Sequence, residues 1–78
     1  MGLLIRLGDR LSLQTQEFVH DLLDHNERGV ALETMADALG DAGAPITDSE
    51  RTEMLQLVSE MRMGDRVERA LRLCPERR

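Results

Sequence analysis

Residues 31–41 read ALETMADALGD, and this stretch decides the fold class. Its apolar side chains recur at steps of three and four residues, the spacing that puts them on one face of an α-helix. The same spacing recurs along the chain, and no segment alternates with the period of two that a half-buried strand requires. The sequence therefore predicts an all-α protein, a small compact bundle of three main helices with short helices at its N- and C-terminal ends.

The first two main helices are predicted from their start and stop signals. Ser12 is a suitable N-cap for a helix that runs to about His25, with an apolar stripe of Phe18, Val19, Leu22 and Leu23. A turn at residues 25–29 leads into a second helix from about Arg28 to Ala42, which buries Ala31, Leu32, Met35, Ala36 and Leu39. We expect Gly40 and Gly43 to interrupt this helical pattern.

The third main helix has the clearest start. Residues 47–50, TDSE, match a capping box, in which Thr47 and Glu50 satisfy each other's free backbone N–H groups. This helix is predicted to end near Met63, before Gly64. A short amphipathic segment at residues 3–11 precedes the bundle, and a last helix from Asp65 to about Leu73 stops before Pro75.

The length of 78 residues fits one domain, residues 1–78, with residues 1–11 and 75–78 as candidate flexible ends. A chain this short buries only about 60% of its unfolded surface, which disfavours a large enclosed active site. Cys74 has no histidine near it in sequence, and no serine stands in a Gly-x-Ser-x-Gly elbow. We therefore expect a protein that is not an enzyme and has no catalytic residue.

Two pairs of possible metal ligands lie near the end of the first main helix. His20 and Asp24, and likewise Asp21 and His25, are four residues apart. A zinc site takes three or four protein ligands, and a histidine at a helix C-terminus is favoured by the helix dipole alone. The sequence therefore predicts no metal and no cofactor.

Charge is unevenly distributed along the chain. The net charge is −5, while residues 17–60 hold eleven acidic residues against two arginines, and residues 61–78 hold six arginines against three acidic residues. This balance disfavours general attraction to nucleic acid or to a membrane surface and favours a positively charged protein partner. The basic end can pair with the acidic middle of the same chain or of a second copy, so a homodimer remains open. The apolar start of the chain is too short for a secretory signal, and we expect a soluble cytoplasmic protein.

Two other function classes remain as alternatives. The second and third helices follow the order of a helix-turn-helix transcriptional regulator, but acidic residues dominate the would-be recognition helix and the connection is longer than the usual turn. A small self-associating helical adaptor is the other, because chains of this size often need a partner to complete their core.

Residues 24–33, DHNERGVALE, followed by Leu39 and by Ala44-Pro45-Ile46, resemble the MafI family of immunity proteins. The resemblance covers about residues 12–62. It departs from the family at Asn26, where a glycine is frequent, and at Arg28, where an aromatic residue is often found. The resemblance implies a helical immunity protein that binds and neutralises the cognate domain of a secreted polymorphic toxin, often a nuclease, inside the producing cell.

The candidate partner-binding residues follow from the acidic middle of the chain. A nuclease presents a cationic cleft to phosphates, and carboxylates held on a stiff helical surface can occupy that cleft instead. The residues expected to do so lie in the first turn, along the second helix and at the start of the third: Asp24, Glu27, Glu33, Asp37, Asp41 and Asp48. Gly29, Leu32, Leu39 and Ile46 are expected to be structural.

Overall fold

The computed structural model describes residues 2–77. Within this range the chain forms five α-helices, no β-strand and one 3₁₀ turn at Gly8–Arg10. The helices are α1 (Gly2–Leu7), α2 (Leu13–Asp24), α3 (Arg28–Ala42), α4 (Asp48–Glu60) and α5 (Arg66–Leu71). The prediction of a small all-α bundle with three main helices is confirmed.

The start signals of two helices act as the sequence predicts. The Ser12 hydroxyl accepts a hydrogen bond from the Thr15 N–H at the start of α2. At the start of α4, Thr47 Oγ1 accepts from the Glu50 N–H at 3.0 Å, and Glu50 Oε1 accepts from the Thr47 N–H at 2.8 Å. This is the predicted capping box, which satisfies two free N–H groups at once.

Three helices are followed, within two residues of their last residue, by a residue with left-handed backbone geometry. Gly43 follows α3 with φ of 59°, Asn26 follows α2 with φ of 60°, and Arg62 follows α4 with φ of 54°. At each end the N–H of the next residue reaches back to a carbonyl in the last turn, as from Ala44 to Leu39. Helix α4 therefore ends at Glu60, earlier than the predicted end near Met63, because the chain already reverses at Arg62.

Helix α3 lies at the centre of the core and packs against α2 and α5. All five side chains predicted on its inner face are fully buried. Gly40 does not interrupt α3 as expected, because it is a buried residue within the helix. A Cβ atom there would lie 2.7 Å from the carbonyl oxygen of Ala70, so the missing side chain lets α5 approach closely.

Phe18 does not belong to the buried stripe of α2, contrary to expectation. Its side chain is 53% exposed, whereas that of Val19 is fully buried and those of Leu22 and Leu23 are partly buried. Successive residues of a helix differ by about 100° in direction, so once Val19 points at α3 its neighbour Phe18 points toward the edge of the buried face.

Both ends of the described chain contact the core. Leu3, Leu4, Leu7 and Leu11 are buried in it. At the other end, Pro75 O accepts a hydrogen bond from the Ile46 N–H at 2.9 Å, and the Arg77 N–H donates to Ile46 O at 2.7 Å.

Helix α5 is shorter than predicted and is capped from another helix. It spans Arg66–Leu71, and the Asp65 side chain makes no capping hydrogen bond. The Arg51 guanidinium of α4 donates to Leu71 O, at the end of α5, at 2.7 Å and to Cys74 O, just beyond it, at 2.8 Å. Cys74 is a buried free thiol, and burial raises its pKa.

A buried ion pair joins the N-terminal segment to α4. Two Arg10 nitrogens donate to the two Glu50 oxygens at 2.6 and 2.7 Å, and the Arg10 guanidinium also donates to the carbonyls of Arg6 and Pro45. The hydrogen bonds from Arg10 and from the Thr47 N–H lower the pKa of Glu50 to about 2. Glu50 is thus structural, and Arg10 is its partner.

Candidate protein-binding surface

Two open grooves lie beside the acidic helices, one along α2 and one between α3 and α5. The α2 groove, about 380 Å³, is lined by Leu13, Gln16, Glu17, His20, Asp21 and Asp24. The α3–α5 groove, about 260 Å³, is lined by Asp37, Gly40, Asp41, Arg66, Arg69, Ala70 and Leu73. Both are shallow, which suits contact with a macromolecular surface better than enclosure of a small molecule.

Glu33 and Asp37 of α3 already hold a guanidinium from the same chain. Arg66 Nη2 lies 2.6 Å from Asp37 Oδ2, and Arg66 Nη1 lies 3.7 Å from Glu33 Oε2. The Asp37 carboxylate raises the pKa of the Arg66 guanidinium. The Arg66 side chain remains 63% exposed, so solvent screens this pair and its contribution to stability is small. The basic end of the chain thus pairs with the acidic middle of the same molecule at this point.

Asp24 and Asp41 occupy positions that cost helix stability. Each lies in the last turn of its helix, α2 or α3, and neither last turn contains a basic residue. The carbonyl end of a helix carries partial negative charge, so an acidic side chain there is unfavourable. Both residues are exposed, and neither forms an ion pair with any residue in the range 2–77. A bound cation would relieve the repulsion at both ends.

Asp48 has the opposite electrostatic setting. It is the first residue of α4, where the partial positive charge of the helix N-terminus stabilises a carboxylate. The Asp48 side chain is exposed, but its favourable interaction with the N-terminus of α4 explains an acidic residue at this position without any partner. Glu27 precedes α3 at the N-cap position, makes no side-chain capping hydrogen bond and is exposed. Neither residue lines either groove.

The structure therefore distributes the six predicted residues over three places. Glu33, Asp37 and Asp41 lie along α3, with Asp37 and Asp41 in the same groove. Asp24 lines the α2 groove, with Glu27 just beyond the end of that helix. Asp48 stands apart on α4.

The α2 groove contains residues that sequence reasoning did not select. Glu17 and Asp21 are four residues apart on its exposed face, and Leu13 at its start is 76% exposed. His25 Nδ1 lies 2.8 Å from Asp21 O and 3.8 Å from Asp21 Oδ1, and the carbonyl and then the carboxylate raise the pKa of His25. The exposure of Leu13, and of Phe18 outside the groove, could not be predicted from sequence, because an exposed leucine or phenylalanine at helical spacing resembles a core residue.

Residues 2–77 contain neither a cluster of metal ligands nor a membrane-spanning helix. Among residues 2–77 no three histidine, cysteine or carboxylate side chains lie close enough together to hold a metal ion. None of the helices in this range combines the length and the apolar character needed to cross a membrane. In the would-be recognition helix α4, Glu53 is paired with Arg6, while Asp48 and Glu60 are exposed.

Comparisons with models of known protein families, with curated proteins and with solved structures found no match to this chain.

Proposed function

We propose that this protein is an intracellular immunity protein that binds a cationic toxin domain through the acidic surface of α2 and α3. The partner is the cognate domain of a secreted bacterial toxin, with a nuclease as the favoured class. Binding takes place in the cytoplasm of the producing cell. It needs no cofactor and no catalytic step, because a protein seated over the cleft of a nuclease excludes its substrate.

The placement of Asp24 and Asp41 carries this proposal. Helices α2 and α3 each carry an exposed acidic residue in the last turn, where neither helix has a basic residue, and this arrangement lowers the stability of the free protein. Residues 13–42 contain seven acidic residues and a single arginine, so the local field attracts cations. Arg66 already pairs with Glu33 and Asp37, so we expect the partner's cations at carboxylates that it leaves unpaired, among them Asp24 and Asp41.

The test is to look for a toxin-like gene beside this protein's gene and to co-express the chain with the toxin domain that such a gene encodes. We expect the wild-type chain to restore growth and to form a stable complex with the purified toxin domain in size-exclusion chromatography. Failure to protect would overturn the immunity function. A gel shift with duplex DNA at low salt, or a self-associated species in light scattering without any toxin complex, would favour one of the two alternative classes.

A pair of matched variants tests the surface. Asp24→Asn with Asp41→Asn removes two negative charges from the ends of α2 and α3. Glu60→Gln with Glu76→Gln removes the same charge from exposed positions elsewhere. We expect the first variant to bind the toxin domain at least about tenfold more weakly, with a smaller salt dependence, and the second to bind as the wild type does. Equal binding by the two variants would remove these aspartates from the interface.

A further inference from the structure

The outward face of α2 combines exposed acidic and exposed apolar side chains. We infer that this face is the docking surface for an arginine-bearing amphipathic segment of a protein partner, with Phe18 as its apolar anchor. The inference rests on the proposed function and names the part of the molecule that would make the central contact. It involves Leu13, Glu17, Phe18 and Asp21, which lie outside the acidic set selected from sequence.

The first argument is the arrangement of side chains along α2. Helical geometry places Glu17, Asp21 and Asp24 in a ridge about 11 Å long, with Leu13 in line with its N-terminal end and Phe18 beside Asp21, about 60° farther round the helix. Leu13 is 76% and Phe18 is 53% exposed, and Phe18 is the one aromatic residue of the chain. Interfaces are centred on such aromatic or aliphatic anchors, with charged groups around them.

The second argument is the charge of the face. Within residues 2–77, Glu17 and Asp24 have no ion-pair partner, and Asp21 contacts His25 alone at 3.8 Å. The α2 groove runs beside these carboxylates and is lined by no arginine. The face therefore has a net negative charge that no arginine of residues 2–77 neutralises, and a cationic segment is its electrostatic complement.

The third argument comes from α3, where the same spacing is already occupied. Glu33 and Asp37 are four residues apart and hold the Arg66 guanidinium between them. Glu17 and Asp21 have the same spacing on α2 and hold no guanidinium from residues 2–77. A partner arginine can bind at α2 without displacing any group of the protein, whereas at α3 it would have to compete with Arg66. This difference favours α2 as the docking face.

The experiment uses a defined probe and the intact protein. A short synthetic helical peptide with arginines four residues apart and leucines between them is titrated into the ¹⁵N-labelled protein, and the backbone amide shifts are mapped. We expect the largest shifts within Leu13–Asp24. A peptide with glutamates in place of the arginines should cause none. Largest shifts in the α3–α5 groove, or no shifts at all, would overturn the assignment.

Variants separate the two components of the face. Glu17→Gln with Asp21→Asn should weaken peptide binding about tenfold, and Phe18→Ser should weaken it to a similar extent but with unchanged salt dependence. The charge-matched control, Glu60→Gln with Glu76→Gln, should stay within about twofold of the wild type. Because Glu17 and Asp21 are exposed, their variant should fold even if Phe18→Ser does not, and unchanged affinity in it would overturn the proposal.

The same variants distinguish this inference from the proposed function. If the wild type and the Glu17/Asp21 variant protect cells against the toxin equally, the immunity function stands and the α2 docking face is wrong. If the peptide footprint lies on α2 but the wild type gives no protection, the proposed function fails while the surface assignment is retained.

Discussion

The Arg10 side chain is only 9% exposed, and its guanidinium is held by Glu50 and by two backbone carbonyls. Removing one member of a buried ion pair leaves the other charge buried without a partner. We expect Arg10→Gln to lower the free energy of unfolding by about 3 kcal/mol, measured by urea denaturation. The matched control is Arg6→Gln, which breaks the half-exposed pair with Glu53 and should cost less than about 1 kcal/mol. Equal losses in the two variants would contradict a special role for Arg10.

The effect of Arg62 on the free energy of unfolding depends on its backbone conformation. With φ of 54° it adopts left-handed geometry, which costs a residue with a Cβ atom about 1 kcal/mol relative to glycine. We expect Arg62→Gly to raise the free energy of unfolding by up to about 1 kcal/mol, and Gly43→Ala, at φ of 59°, to lower it by about as much. A destabilised Arg62→Gly protein would show that the arginine side chain makes a compensating contribution.

At the scale of the elements, α3 offers two glycines with opposite expectations. A Cβ atom at Gly40 would meet the Ala70 carbonyl at 2.7 Å, whereas one at Gly29 would have its nearest neighbours in the Met63 side chain, at 3.9 Å. Gly40→Ala should force α5 away from α3 and cost about 1–3 kcal/mol. Gly29→Ala should be neutral or stabilise the helix by up to about 1 kcal/mol. Thermal unfolding of both variants checks this, and a stable Gly40→Ala protein would show that α5 can move without penalty.

Several helix bounds could be predicted from sequence, whereas the packing between helices could not. The starts of α2 and α4 and the bounds of α3 could be predicted because Ser12, the capping box at Thr47 and the left-handed Gly43 act within a few residues of themselves. The role of Gly40 and the exposure of Phe18 could not, because both depend on which helix packs alongside. The Arg10–Glu50 pair spans forty residues of sequence, and no local pattern predicts it.

The candidate surface was predictable in composition but not in arrangement. Sequence gives the excess of carboxylates in residues 17–60 and the basic end of the chain. It does not show that Arg66 meets Glu33 and Asp37, because that contact requires α5 to fold back against α3. Sequence composition also does not distinguish Asp48, which stabilises the start of its own helix, from Asp41, which destabilises the end of its helix. Both distinctions depend on where each residue lies within a folded helix.

At the scale of the whole molecule, Glu50 links protonation to global stability. Its pKa in the folded protein is about 2, below the ordinary value of 4.5, so the folded state holds this carboxylate charged more strongly than the unfolded state does. The resulting stabilisation is fully present above a pH of about 4.5 and is lost as the pH falls toward 2. A shift of this size corresponds to about 3 kcal/mol, a large share of the stability of so small a protein. Urea denaturation between neutral pH and a pH of about 2 should therefore show a steep loss of stability in this window.

The double variant Arg10→Gln with Glu50→Gln lacks the pair and should show a shallower pH dependence from a lower starting stability. If the two proteins lose stability in parallel, the acid sensitivity comes from the many surface carboxylates rather than from the one buried pair that fixes the N-terminal segment to α4.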